Sequence, residues 1–507
     1  MLSDDVLYMS VRDLGSQIKA RKIRPVQLTE SYLARLQKFG PKLGAVANLT
    51  SKYALQLAKQ AEKEIDAGNY RGPLHGIPFG AKDLLATKGI KTTWGAPPFR
   101  DQVFDYDATV IRKLTEAGAI LVAKLSMIEL AGGGGYSNAS ASLQGPSRCP
   151  FNTDHWAGGS SSGPGAAVPS ALVAFAIGSE TIGSIITPAA FSGVSGLRPT
   201  YGRVSRHGAM ALSWTMDKLG PMCRTASDCG LVLAAIAGFD PLDETSVRTP
   251  YISRPARHAA PGRAPLDGKR IGVIRPDFKA DGDPEVEMAF NIALETLRGL
   301  GAKLEETQLP DYPNSAVATT LYSSEAASIF RPFIQGEKLQ QLIDESQKIG
   351  LVAALSIRAT DYLDSFRLRS QIQADLAKMF ERFDVLVAPS RLRPAPRVDA
   401  DFNAPPAKSA AEKSGDKPAE KPSDKSADKT APKSTTNPPG SSERHSIIAA
   451  SNIAGLPAMS VPCGFTKDNL PVGIQFVAAA LADDTCIGFA HNFQKVTDWH
   501  QHRPSGF

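Results

Sequence analysis

The feature that most restricts the fold lies between Gly76 and about Gly238, where short apolar runs alternate with helical patterns and glycines punctuate the joins. The run Ala119-Ile120-Leu121-Val122-Ala123 is short and suited to a buried strand, whereas Thr109 to Ala117 repeats its apolar residues at three-to-four spacing. Such alternation predicts an α/β core, with helices packed on a sheet. The pattern resumes after Pro265, with a strand at Arg270 to Ile274, a helix at Glu285 to Leu300 and a strand at Lys303 to Thr307. Val385-Leu386-Val387 and Met459-Ser460-Val461 read as further buried strands. The first seventy residues read instead as an outer helical layer, with helices at Val11 to Lys19, Val26 to Gln37 and Tyr53 to Ala67.

A chain of 507 residues can bury a core that needs no metal or disulfide staple. With 42% hydrophobic and 21% charged residues it is neither fibrous nor mainly disordered. The net charge of +6 is spread along the sequence, and no basic helix interleaved with aromatics marks a nucleic-acid groove. Cys149, Cys223, Cys229, Cys463 and Cys486 include no C-x-x-C pair and are expected to be buried thiols. The opening Met1-Leu2-Ser3-Asp4-Asp5-Val6 carries acids where a signal peptide needs basic residues, and no run approaches about 18 apolar residues. A cytoplasmic address without a membrane partner is expected, and export only if a leader has been trimmed.

One segment stands apart. Residues 401–442 are rich in Pro, Lys, Ala, Ser and Asp, with lysines at 408, 413, 417, 421, 425, 429 and 433 and acids at 412, 416, 420, 424 and 428. The near-four spacing favours helical ion pairs, but Pro418, Pro422 and Pro432 interrupt any continuous helix, so a disordered insert is predicted. A docking arm is the alternative; near-balanced charge more often marks a solvated loop.

Three pieces carry chemistry: Gly80-Ala81-Lys82-Asp83, Gly158-Gly159-Ser160-Ser161-Ser162-Gly163 and Gly178-Ser179-Glu180-Thr181-Ile182-Gly183-Ser184-Ile185. Glycine allows close backbone approach, so Gly/Ser-rich turns can aim several N–H groups at one point, as an oxyanion hole requires. A serine hydroxyl attacks an amide only with a base within reach. Histidine is the usual base, yet the chain has eight, and His500 and His502 sit at an end expected to fray. Lysine is the other choice: its ordinary pKa of about 10.4 must fall toward neutrality, which desolvation achieves. Lys82 follows the apolar Gly76-Ile77-Pro78-Phe79-Gly80-Ala81 approach, which suits burial.

Together with Gly193-Val194-Ser195-Gly196-Leu197-Arg198-Pro199-Thr200-Tyr201-Gly202-Arg203-Val204-Ser205, these pieces resemble the amidase signature family, with its G-G-S-S-G and G-x-x-x-G-S-I patterns. The resemblance spans nearly the whole chain, including Asn452 to Phe476, which is similar to the family's N-x-x-G-x-P-x-x-x-V-P motif; the charged insert falls outside it. It implies an α/β amidase signature fold, a large mixed sheet covered on both faces by helices. Within one such domain, residues 1–75 would form the helical layer, 76–240 the signature core and 241–400 a further α/β part, while 443–507 would return to the core after the insert.

The resemblance also implies roles. Ser184 would be the nucleophile, Ser160 the bridging serine after a cis Gly159–Ser160 bond, and Lys82 the remote base, with backbone N–H groups of Thr181, Ile182, Gly183 and Ser184 as oxyanion hole. No cofactor or metal is called for. The family commonly has aspartate, a glycine pair and a nearby arginine in this segment; here Glu180, Ile182 and Ile186-Thr187 stand in those places. Without that arginine, a neutral acyl substrate is favoured over one bearing a carboxylate.

Other readings compete. Taken singly, serines in Gly-rich turns usually cap helices, and a lone lysine is usually a surface charge. Ser162 and Ser179 are read as structural hydrogen-bond donors, Ser179 also as able to orient the loop. Gly159-Ser160-Ser161-Ser162-Gly163 satisfies the G-x-S-x-G elbow, but Cys149 to His155 is turn-rich rather than a strand, and no acid-then-histidine pair follows. The glycines at 132–135 lack the lysine of a phosphate loop and are expected to form a flexible wall near the site, with Gly133 and Gly134 in the pocket. Met127, Trp214 and Asp217 are the other expected pocket residues, Trp214 and Asp217 lying with Met216 in a loop similar to one near the family's active site; core packing is the bland alternative for each.

The leading function is a free-standing amidase, monomer or homodimer, cleaving a small-molecule amide, anilide, carbamate or ester. The alternatives are the glutamine-hydrolysing component of an aminoacyl-tRNA amidotransferase, and a noncatalytic relative that binds small acyl ligands.

Overall fold

The computed structural model describes residues 1–251, 262–404 and 446–507. Among them, eleven strands form one sheet: β1 (Val46–Leu49), β2 (Pro78–Lys82), β3 (Ile120–Leu125), β4 (Phe175–Glu180), β5 (Ser195–Arg198), β6 (Lys218–Cys223), β7 (Arg270–Ile274), β8 (Lys303–Thr307), β9 (Val385–Pro389), β10 (Ala458–Phe465) and β11 (Pro471–Val477). Their order is β1-β3-β2-β4-β6-β5-β10-β11-β9-β7-β8. The sheet is mixed: β2 lies parallel to both β3 and β4, and β7 to both β8 and β9, while the strands between them pair antiparallel.

Every residue of β2, β3, β6, β9 and β11 is buried. Both faces of these strands are therefore covered, which is why the sequence shows continuous apolar runs rather than strict alternation. At the far margin β8 exposes Lys303, Glu305 and Glu306, charges that discourage another strand from adding there.

Helix Val11–Lys19 and strands β7 and β8 occupy the bounds read from sequence. The helix read at Val26 to Gln37 runs longer, Pro25–Leu43: Pro25 presets the first turn, and Gly44 ends it in the left-handed region at φ 58°. The N-terminal layer is not wholly helical. β1 joins the sheet antiparallel to β3, a four-residue, half-buried strand too short to show its own periodicity. His502 does not fray; its ring stacks on Phe465, with centroids 4.9 Å apart. All five cysteines are buried and free. The segment read as a disordered insert lies, from residue 405 on, outside the described residues. Among the described residues no helix is long and apolar enough to cross a membrane.

Within the glycines at 132–135, expected to form a flexible wall near the site, Gly134 is a packing surface. A Cβ on Gly134 would lie 2.1 Å from the Gln347 carbonyl oxygen, and one on Gly350 1.8 Å from that of Gly134, so this run meets helix Glu345–Ala354 backbone to backbone. Gly134→Ala is expected to cost about 1–3 kcal/mol by overpacking, read as a lowered thermal midpoint.

Candidate active site

Because β2 and β4 are parallel neighbours, with Ala81 opposite Ile177, their carboxyl ends finish side by side. Lys82 closes β2 and Ser179 stands one residue from the end of β4. Beyond Glu180 the chain turns through Gly183, at φ 80°, and enters helix Ile186–Ser192, with Ser184 in the turn. Ser160 arrives from a separate turn leading into helix Ser162–Ala167, and the Gly159–Ser160 peptide is cis.

These segments bring three sequence-predicted residues together. Lys82 Nζ lies 2.7 Å from Ser160 Oγ, and Ser160 Oγ lies 3.0 Å from Ser184 Oγ. Sequence reasoning missed a further contact: Lys82 Nζ is also 2.8 Å from Ser179 Oγ. Parallel pairing of β2 with β4 makes that contact, and no local pattern announces it. Ser179 is in turn fixed by Ser161, whose Oγ donates to the Ser179 carbonyl at 3.1 Å. Ser162, expected to be a structural donor, has no side-chain hydrogen-bond partner among the described residues.

Lys82 is wholly buried. Burial is the largest influence on it and, against the opposing charges of Asp217 and Glu180, pulls its pKa down to about 7. A sizeable share of the amine is then uncharged near neutrality and has a lone pair to offer. An amine, a buried hydroxyl and a less buried hydroxyl in series form a path along which a proton can move.

Ile182 sits in the turn without needing a left-handed backbone. The left-handed conformation falls at Gly183, Ile182 is not among the positive-φ residues, and its side chain packs on the apolar cluster containing Ile186, Met216 and Ile448. Among the described residues the N–H groups of Ile182, Gly183 and Ser184 meet no protein acceptor, whereas those of Ile185 and Ile186 both donate to Glu180 Oε2, at 2.8 and 2.9 Å. Glu180 Oε1 accepts from Arg198 Nη1 at 2.9 Å and from Asn452 Nδ2 at 2.8 Å. Burial pushes the Glu180 carboxyl up, but Arg198, Asn452 and the Ile186 N–H outweigh it and hold the pKa below the usual glutamate value.

A cavity of about 190 Å³ opens beside Ser179 and Thr181, with Leu84, Met210, Trp214 and Asp217 in its lining. Of the residues read as pocket walls, Trp214 and Asp217 border this cavity. Met127, Gly133 and Gly134 do not line it; Met127 is fully buried in the core, and a Cβ on Gly95 would come within 2.9 Å of its Cγ. Arg206 lines the cavity, but its guanidinium is engaged: Nε and Nη2 each lie 3.3 Å from Asp243 carboxylate oxygens, Nη2 also donates to Thr245, and Nη1 donates to the Trp214 carbonyl.

The large mixed sheet and its helical cladding are shared with enzymes of known structure. The amidase family model matches residues 27–414 and 418–487, and the chain belongs to that family. Among curated relatives it is 35% identical to the A-type component of the glutamyl-tRNA(Gln) amidotransferase of Methylococcus capsulatus, covering 98% of this chain and 99% of that protein. Among solved structures it resembles the native peptide amidase of Stenotrophomonas maltophilia, with TM-score 0.77, 28% identity and 98% of each chain covered. A chain from a vestigial protein complex linked to the origins of an s-triazine catabolic enzyme superposes with TM-score 0.80 at 25% identity, covering 96% of this chain and 98% of that one.

Proposed function

We propose that this protein hydrolyses a neutral carboxamide or a related acyl bond through an acyl-Ser184 intermediate. The observation that carries the reading is the unbroken chain from Lys82 Nζ through Ser160 Oγ to Ser184 Oγ, with steps of 2.7 and 3.0 Å. Uncharged Lys82 takes the proton of Ser160 while Ser160 takes that of Ser184, whose oxygen forms a bond to the acyl carbon. The carbonyl oxygen gains the negative charge, and the unpartnered N–H groups of the Thr181–Ser184 loop suit its stabilisation. As the C–N bond breaks, the proton returns along the same path to the departing amine. Water then attacks the ester by the reverse relay, releasing acid and restoring Ser184.

The engaged guanidinium of Arg206 supports an uncharged substrate, and a cavity of about 190 Å³, below the usual range of roughly 300–1,000 Å³ for drug-sized ligands, supports a compact group in it. Reaction of the isolated protein with an alkyl fluorophosphonate, followed by peptide mass mapping, is expected to place the adduct on Ser184. An adduct confined to another residue, or none on folded protein, sinks the reading.

The 35% identity to an amidotransferase component favours a second reading, in which the chain hydrolyses glutamine for a partner complex. Glutamine turnover stimulated by copurifying partner proteins supports it; turnover of simple aryl amides by the isolated chain supports the first.

A further inference from the structure

Half-buried Asp217 and buried Lys218 are consecutive residues that both grip Thr181, the first residue of the loop leading to Ser184. Asp217 Oδ1 accepts from Thr181 Oγ1 at 2.5 Å, and Lys218 Nζ lies 3.4 Å from the Thr181 carbonyl oxygen. The second carboxylate oxygen of Asp217 accepts from the N–H groups of Leu212 and Ser213, at 2.8 and 2.9 Å. Leu212 and Trp214 line the cavity, so one carboxylate ties the cavity wall to the nucleophile loop. The wall is anchored from behind as well. Glu325, on helix Asn314–Ile329, accepts from Thr215 Oγ1 at 2.7 Å and Tyr362 Oη at 3.0 Å, and Arg369 donates to the Thr215 carbonyl. Against a wall braced in this way, the Thr181 hydroxyl is a fixed strut.

We propose that Asp217 is a positioning residue: acting through Thr181, it holds the Thr181–Ser184 loop against the cavity wall and so governs the rate at which Ser184 attacks, rather than the affinity for what it attacks. The inference rests on the function proposed above. Its physical basis is that backbone donors stabilise a developing oxyanion only when held in place beforehand, and a displacement of about 1 Å costs on the order of 10²-fold in rate. Thr181→Val keeps the shape of the side chain and removes the donor, whereas Thr181→Ser keeps the donor.

The test measures the inactivation rate, kinact, and the affinity, KI, for an alkyl fluorophosphonate. In that reaction the Ser184 oxygen bonds to phosphorus, fluoride leaves, and the serine proton passes toward Lys82. Thr181→Val is expected to lower kinact by about 10- to 100-fold with KI within about twofold, and Thr181→Ser to recover most of the rate. Asp217→Ala is expected to give a similar loss, to which Thr181→Val adds little in the double variant. Normal kinact in Thr181→Val, with the adduct still on Ser184, overturns the proposal, as does a loss lying wholly in KI or one that Thr181→Ser does not relieve. If Asp217→Ala fails to fold, the valine and serine pair decides alone. Absence of an adduct on wild-type Ser184 instead marks failure of the underlying function, and the proposal falls with it.

Discussion

Lys82→Met is expected to slow acylation of Ser184 by about 10²–10⁴-fold, the usual cost of losing a general base. The pH profile gives the sharper check. Only the uncharged amine accepts a proton, and burial brings its pKa to about 7, so the wild-type rate should climb through neutrality and level off above it. In Lys82→Met that limb should vanish along with most of the rate; a variant that keeps it has its base elsewhere. Stability depends on pH as well. The folded pKa lies below the ordinary lysine value of 10.5, so between about 7 and 10.5 the unfolded chain binds a proton that the folded chain does not. The fold therefore gains stability as pH rises across that window and bears the full burial penalty below it. Lys82→Met is expected to melt at a higher temperature than wild type at pH 7 and below, the familiar exchange of stability for a poised active site.

The second large effect is on stability. Glu180→Ala strands the fully buried guanidinium of Arg198 and releases the N–H groups of Ile185 and Ile186, at an expected cost of about 3–5 kcal/mol in chemical denaturation. The sign with pH follows from the depressed carboxyl. Its contribution is complete above the ordinary glutamate range and is lost as pH falls through the lower folded value. Wild type should lose stability along that acid limb, and Glu180→Ala should lack the contribution at every pH. Unchanged stability in folded Glu180→Ala counts against any structural weight for this network. Because Glu180 orders the two peptide groups that follow Ser184, a folded variant is also expected to react more slowly with a fluorophosphonate.

Much of this was legible because it is local. Apolar runs interrupted by glycine marked β3, β7, β9 and β10, and the apolar approach to Lys82 suited a buried lysine; the roles expected of Ser160 and Ser184 came instead from the resemblance to the amidase signature family. Turn chemistry and strand burial leave their imprint within five or ten residues of the chain, which is the range that periodicity covers. β1 escaped because four half-buried residues hold too little pattern, and the packing of Gly134 on Gln347 was not foreseen because glycine announces close approach without saying to what.

Motifs that looked separate turn out to share partners. Arg198, from the Gly-Leu-Arg-Pro piece, and Asn452, from the closing N-x-x-G-x-P piece, both bond Glu180, with Asn452 272 residues away along the chain. The sequence alone pointed to an α/β chain of the amidase signature kind and, through that resemblance, to Lys82, Ser160 and Ser184 as candidates for its chemistry. Tertiary structure decided that Ser179 shares Lys82, that Asp217 clamps Thr181, that Arg206 is occupied by Asp243, and that Met127 and Gly134 pack away from the cavity. The division has a physical cause: conformational preference is written residue by residue, whereas a hydrogen-bond partner or a cavity wall depends on which strands become neighbours and in what register, a property of the assembled sheet.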